Sequence, residues 1–311
     1  MRADLDRMAP ELDTLLLDVL DYGLFNGGKR IRPLLVVLAA RLCGTSDDGA
    51  YRLGCAFEYL HAATLYHDDI IDNSATRRGK EAVHQKFGVI EAILAGDFLH
   101  AHAMATVGKL SGPDGLDIFC KATTGMVDGE FMQLRNAARH NLSELDYHNA
   151  IMGKTGLLIA AACEVGALYG GGNREERRAL RQYGINLGCG FQIVDDLLDY
   201  LGEPAKTGKA VGSDLAEGKI TLPLIYTINS AEQDDKTRLL QIIDDAEIRT
   251  RSLGEVCSLI RKYGGFTAAR KKAEDAVTSG VAGLTIFSED NVQGTRAILE
   301  GLASYVLTRD K

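Results

Sequence analysis

Nearly every long stretch of this chain repeats its apolar residues at helical spacing, and that pattern leaves little room for a sheet. "LDTLLLDVLDYGLF", "IRPLLVVLAARLCG" and "YRLGCAFEYLHAATLYHDDIID" read as helices. So do "VIEAILAGDFLHAHAMATVGKL", "LDIFCKATTGMVDGEFMQLRNA" and the run from Ser143 to Leu168. Ser143 is a capping residue ahead of "ELDYHNAI", and Pro113 precedes another helical pattern. The one β-like stretch, "KITLPLIYTI", carries Pro223 in its middle, which has no N–H for a ladder and suits the first turn of a helix. Several helices are rich in alanine and apolar over more than one face, as interior helices of a large bundle are. No linker, low-complexity run or fixed-period repeat separates them. The expectation is a single all-α domain over residues 1–311, its more charged part from about Asp234 forming outer helices.

Composition narrows the function. Charged residues make up 25% and apolar residues 46%, ordinary globular usage, and a net charge of -8 argues against a nucleic-acid partner. Cys43, Cys55, Cys120, Cys163, Cys189 and Cys257 show no C-x-x-C spacing and read as small core residues in a reducing compartment. The start, "MRADLDRMAPELD", lacks the apolar core of a signal peptide. "TGLLIAAACEVGALYGGG" is broken by Glu164 and reads as too short to span a bilayer. The chain is expected to be soluble and cytoplasmic, with no transmembrane segment.

Against that background "LYHDDIIDNS", Leu65 to Ser74, stands out. Asp68 and Asp72 share a helix face with Asp69 beside them, and like charges at that spacing weaken a helix by roughly 0.2–0.5 kcal/mol per pair. "FQIVDDLLDYLGE" repeats the spacing with Asp195, Asp196 and Asp199. Each cluster falls at the C-terminal end of an apolar helix, where the macrodipole already disfavours negative charge by roughly 0.3–1 kcal/mol. One such cluster is readily a solvated helix end. Two copies at the wrong ends of their helices call for a cation. Carboxylates are hard ligands, and Mg²⁺ is typically held by one or two of them together with substrate phosphates and waters. Two clusters facing each other across a cavity would form an incomplete cage that a diphosphate completes.

Basic residues then need to converge on the same place. "FNGGKRIRP" supplies Lys29, Arg30 and Arg32 after Gly27 and Gly28, and "SATRRGK" supplies Arg77, Arg78 and Lys80. "GKTG" gives Lys154 and Thr155, and "KTGKAVGSDLAEGKITLP" gives Lys206, Lys209 and Lys219. Arginine forks suit phosphate oxygens and lysine acts as a point charge, although each set alone also reads as a solvated charge run.

From about Gly27 to Pro223 the order and spacing of these stretches resemble the trans-isoprenyl diphosphate synthases, the polyprenyl synthetase family. "GGKRIRP", "HAATLYHDDIIDNSATRRGK", "ILAGDFL", "GKTG", "FQIVDDLLD" and "GKAVGSDLAEGKITLP" carry the resemblance; the chain ahead of them is short for the family, which touches no motif. The resemblance implies a bundle of antiparallel helices around a central cavity, of isoprenoid synthase type, and a homodimer. It implies three Mg²⁺ ions, with Asp68 and Asp72 as ligands of two, Asp69 supporting them, Asp195 as ligand of the third, and Asp196 and Asp199 holding its waters. Arg77, Lys154, Lys209 and Lys219 resemble grips on an allylic diphosphate. Lys29, Arg32, His61 and Arg78 resemble the pocket for isopentenyl diphosphate. Gln192 and the backbone around Lys154 and Thr155 look placed to stabilise an allylic cation.

Product length is expected to follow the side chains one turn before the first cluster, about 5.4 Å away. These are Ala63 and Thr64, where short-chain members of the family carry an aromatic or an insertion in the motif. The expectation is a product of geranylgeranyl length or longer, of quinone-tail type, with Leu60 and Phe119 or Phe131 as a deeper floor and Tyr66 as a second way to narrow the tunnel. Farnesyl or geranylgeranyl products are the short-chain alternative. A class I terpene cyclase would not need "GGKRIRP", a regulatory subunit generally lacks one aspartate motif, and a metal-buffering protein leaves the ordered arginines and lysines unexplained.

Overall fold

The computed structural model describes residues 1–45, 47–202, 211–288 and 294–309. It is 82% helical, in agreement with the all-α class read from sequence. The chain divides into two compact units, Met1–Cys120 with Ala162–Arg177, and Lys121–Ala161 with Arg178–Lys311.

The first unit is organised around the Asp48–Ile71 helix. It starts where the Asp47 carboxylate accepts the Ala50 N–H at 3.1 Å, and it ends where the Asp72 N–H reaches the Asp68 carbonyl at 2.8 Å. It packs along the Ile31–Leu42 helix so closely that a Cβ on Gly54 would stand 3.0 Å from the Pro33 carbonyl oxygen. Alanine-rich runs make this spacing possible: Ala39, Ala40, Ala56, Ala62 and Ala63 are all buried. After this helix come two strands of two residues each, Thr76–Arg77 and Lys80–Glu81, paired antiparallel. Arg78 (φ 53°) and Gly79 (φ 77°) turn the hairpin, both left-handed as a tight two-residue turn requires. Sequence patterning reads this stretch as a basic loop, because strands of two residues are too short to show alternation. The Val89–Ala138 run is interrupted at Gly112 (φ 67°), and Pro113 opens its second half as expected.

In the second unit, Ser143 caps the Glu144–Ile151 helix by accepting the Asp146 N–H at 3.2 Å. The chain then widens into a π-helical turn, Met152–Gly156, before continuing as Leu157–Tyr169. Glycines bring backbones together around this turn: a Cβ on Gly153 would lie 2.8 Å from the Gly129 Cα, and one on Gly188 2.8 Å from the Gly156 Cα. "LPLIYTINS" is a helix, Leu222–Ser230, with Pro223 in its first turn. The segment after Asp234 is amphipathic, and Leu239, Ile242, Val256 and Ile260 form a buried core with Tyr200, Leu224 and Ile228.

Among the described residues one helical run, Glu144–Tyr169, is long and apolar enough to cross a membrane, and 72% of its most apolar window is buried in the protein. Reading that stretch from Thr155 makes it too short, because the helical run begins at Glu144, about three turns earlier. Cys163, Cys189 and Cys257 are buried and the other three cysteines half-buried, all as free thiols. Burial pushes the Cys43 and Cys189 thiols up to about 12.

Candidate active site

A pocket in the first unit is lined by residues that include Arg30, Glu58, His61, Tyr66, Arg77 and Arg78. The hairpin is clamped to the glycine loop, with Asn26 Nδ2 donating to the Arg77 carbonyl at 3.2 Å and Arg78 donating to the Gly27 carbonyl. Gly28 (φ 115°) lies under the Arg78 guanidinium, where a Cβ would come within 2.6 Å of Nη1. Two of the arginines are neutralised locally. Arg30 donates to Glu58 at 2.5 Å, and Arg77 places Nε 2.7 Å from Asp69 Oδ1 with Nη2 on the same oxygen.

Arg32 and Arg78 form no ion pair among the described residues, and Arg32 Nε is buried without a hydrogen-bond partner. Burial, followed by the charges of Arg32, Arg78, Arg30 and Arg77, holds His61 well below the ordinary histidine pKa. The structure thus brings the buried His61 ring and Arg32 together with the exposed Arg78 as a positive site, the electrostatic condition for receiving an anion.

The three carboxylates of the first cluster have separate situations. Asp72 is exposed and Asp68 partly buried, whereas Asp69 is 2% exposed and committed to Arg77. The second cluster, in the other unit, divides in the same way. Asp195 is 45% exposed at its side chain. Asp196 is buried, accepting the Tyr147 hydroxyl at 2.6 Å and Gln192 Nε2 at 2.9 Å. Burial, and then Asp214, raises its pKa well above the usual carboxylate range. Asp199 accepts Ser213 Oγ at 2.6 Å and the Asp214 N–H at 3.1 Å, which caps the Ser213–Ala216 turn.

Around the π-helical turn, Thr155 Oγ1 donates to Gln192 Oε1 at 3.0 Å, which fixes the amide orientation. Lys154 is held by Glu130 at 2.6 Å and Gln133 at 3.0 Å. Lys219 pairs with Glu217 at 2.7 Å and Asp214 at 3.5 Å. Lys206 and Lys209 lie outside the described residues.

The candidate length-determining positions fall into two groups. Ala63, Leu60 and Phe119 are buried, and Phe119 meets Phe57 edge to face at 5.3 Å. Thr64 Oγ1 donates to the His61 carbonyl at 2.9 Å. Phe131 is 67% exposed, which removes it as a buried floor within this chain. The Tyr66 hydroxyl is buried without a hydrogen-bond partner against Gly23, where a Cβ would stand 2.0 Å from it, so its ring belongs to the anion pocket.

Among the described residues no three carboxylate, histidine or cysteine side chains converge as a complete metal cage. The residues within each unit nevertheless fit Mg²⁺: Asp68 and Asp72 in the first and Asp195 in the second are hard ligands at exposed or half-buried positions, and this ion is usually completed by phosphates and waters. Glu58 beside the pocket of the first unit, and Glu130, Gln133, Tyr147 and Arg309 beside the candidate residues of the second, escape a reading by motif. Glu58 alone leaves a signal, a carboxylate three residues before His61 in the apolar stretch "CAFEYL".

An all-α chain with two aspartate-rich helix ends and a positive arginine–histidine pocket has the equipment of an enzyme that works on diphosphate esters. The polyprenyl synthetase family model matches residues 13–260, and the chain belongs to that family. It is 33% identical over 300 residues to the octaprenyl diphosphate synthase of Escherichia coli, covering 96% of this chain and 92% of that protein. Identity to the geranylgeranyl diphosphate synthase of Saccharolobus solfataricus is 36% over 272 residues, covering 84% and 82%. Among solved structures, the polyprenyl synthase of Caulobacter crescentus, complexed with calcium and isoprenyl diphosphate, superposes with a TM-score of 0.90 at 35% identity, covering 100% of this chain and 95% of that one. The protein is a prenyltransferase of the prenyl diphosphate synthase kind.

Proposed function

We propose that this enzyme condenses isopentenyl diphosphate with an allylic diphosphate, releasing diphosphate and lengthening an all-trans chain to geranylgeranyl size or beyond. The observation that carries the reading is the site where Arg32, Arg78 and His61 meet without a carboxylate of their own, beside an unpartnered, buried Arg32 Nε. A diphosphate supplies the missing acceptors and charge. Lys29, from the same glycine loop, joins this site for isopentenyl diphosphate.

Arg77, Lys154, Lys209 and Lys219 hold the allylic diphosphate, the described three being oriented by the acids already paired with them. Asp68, Asp72 and Asp195 hold three Mg²⁺ ions, which when bound stabilise the departing diphosphate as Lewis acids. Asp69 acts through Arg77, while Asp196 and Asp199 act through Gln192 and the Ser213 turn. Thr155 and Gln192 present fixed dipoles to the allylic cation, and the apolar helix leading to Asp68 keeps water from it. Attack by the isopentenyl double bond on C1 and loss of a proton to the released diphosphate complete the cycle.

Ala63, with its small side chain, favours products in the range of the relatives with longer chains. Both units act as one synthase domain in the cytoplasm. Exposed Val127, Phe131 and Leu134, at helical spacing, suit a homodimer contact. Incubation with Mg²⁺, labelled isopentenyl diphosphate and an allylic primer, followed by product chromatography, tests the reaction and measures its length. Product formation without isopentenyl diphosphate would point to a cyclase, and no turnover to a non-catalytic subunit.

A further inference from the structure

Arg309 lies beyond the Thr295–Thr308 helix, in a part of the chain with no motif, yet its side chain is only 3% exposed. Its Nη2 donates to Asp195 Oδ1 at 2.8 Å and to the Phe191 carbonyl at 2.9 Å. The guanidinium also stacks on the Phe191 ring, 3.7 Å from its centroid. Phe191 and Asp195 are one turn apart on the Arg174–Leu201 helix, so the arginine bridges that turn and fixes the carboxylate between two other contacts. Arg309 is anchored from its own side as well. Its N–H donates to the Tyr305 carbonyl at 3.0 Å, and Arg270 Nη1 donates to the Leu307 carbonyl at 2.8 Å.

Burying a guanidinium is costly, and breaking one side of such a pair leaves an uncompensated charge. Here the cation is placed on the one carboxylate of the second cluster that is not already used by Tyr147, Gln192 or Ser213. It takes Oδ1 and leaves Oδ2 with no partner among the described residues. Groups that orient a metal ligand from behind typically change metal affinity by about 10–100-fold when lost.

We propose that Arg309 is a positioning residue for the metal: it holds Asp195 in one rotamer through Oδ1, so that Oδ2 is presented to the cation. The inference rests on the reading of Asp195 as a metal carboxylate. Without the arginine, Asp195 rotates freely on a surface crowded by other acids, and ordering it must be repaid each time metal binds.

The test titrates Mg²⁺ into the full chain by calorimetry with saturating inorganic pyrophosphate, comparing wild type, Arg309→Met, Arg309→Lys and Asp195→Ala. Arg309→Met is expected to weaken the most labile ion about 10-fold and to lower kcat while leaving KM for isopentenyl diphosphate unchanged. Arg309→Lys, which keeps the charge, is expected to recover part of the metal affinity. If Arg309→Met does not fold, Arg309→Gln makes the same comparison, since it keeps a donor and drops the charge. Wild-type Mg²⁺ binding in the neutral variant, with binding lost in Asp195→Ala, overturns the role of Arg309. Unaltered binding in Asp195→Ala instead overturns the reading of Asp195 as a ligand.

Discussion

Glu58, buried at 3% exposure, accepts Arg30 Nη1 at 2.5 Å, while Nη2 of the same guanidinium donates to the Leu24 carbonyl at 2.5 Å. The pair fastens the glycine loop to the Asp48–Ile71 helix. Arg30 itself adopts the left-handed conformation, φ 52°, which costs an L-residue roughly 1–2 kcal/mol. Lys29 and Arg32 flank it, so the ion pair sets the direction of both. Glu58→Gln is expected to lower stability by about 2–3 kcal/mol, below the full value for a buried pair because Arg30 is partly exposed. KM for isopentenyl diphosphate should rise several-fold with kcat nearly unchanged. Urea unfolding and steady-state kinetics check both, and an unchanged KM would mean that the loop is oriented by other contacts.

His61 makes the anion pocket sensitive to pH. Burial and the facing charges of Arg32, Arg78, Arg30 and Arg77 keep it neutral in the folded protein, with Glu58, Asp69 and Glu81 as the carboxylates around the cavity. Unfolded, it titrates near 6.5. The folded pKa is the lower one, so this group's contribution to stability is complete above pH 6.5 and is lost as pH falls towards the folded value. Wild type should lose up to about 1.4 kcal/mol per pH unit below 6.5 relative to His61→Gln, measured as the difference between their denaturation midpoints from pH 7 to 5. Parallel pH profiles would show that His61 is not held neutral.

The two aspartate motifs and their basic companions were legible because chemistry needs particular residue types at fixed spacing. The helices were legible because Ala63, Leu60 and Phe57 recur on a buried face at helical period. The division of labour within each motif was not. Asp69 and Asp196 read like their neighbours in sequence, and only tertiary contacts to Arg77 and Tyr147 separate them from Asp68 and Asp195. Arg309 reaches its partner across 114 positions of sequence, a contact no local pattern encodes. The hairpin at Arg78 was missed for the opposite reason: it is too short to carry a pattern at all.

Ala63 occupies a buried site on the helix that ends in the first motif, at 2% exposure. Ala63→Tyr adds a ring one turn before Asp68, where a growing tail on the diphosphate meets its first obstacle. Products are expected to shorten to farnesyl or geranylgeranyl diphosphate, read by chromatography of the dephosphorylated alcohols. Overpacking costs about 1–3 kcal/mol, so a melting curve must accompany the assay. A folded variant with unchanged product length would show that the chain does not grow along this helix face.

Asp195 and Asp199 stand one turn apart with identical side chains, and their contacts assign them different consequences for kcat when removed. Asp199 accepts Ser213 Oγ and the N–H groups of Ser213 and Asp214, so Asp199→Ala gives up a cap and its bonds, about 1–2 kcal/mol. The loss of Asp195 strips the buried Arg309 guanidinium of its carboxylate, so the melting temperature is expected to fall here as well; Asp195 differs in being half exposed. Its carboxylate is instead the one available to a cation, and Asp195→Ala is expected to lower kcat by about 100-fold or more, the scale of a lost transition-state contact. Melting curves and kcat measured on both variants decide the matter. A stable Asp199→Ala with kcat as low as that of Asp195→Ala would place both carboxylates on the metal and remove the capping role assigned to Asp199.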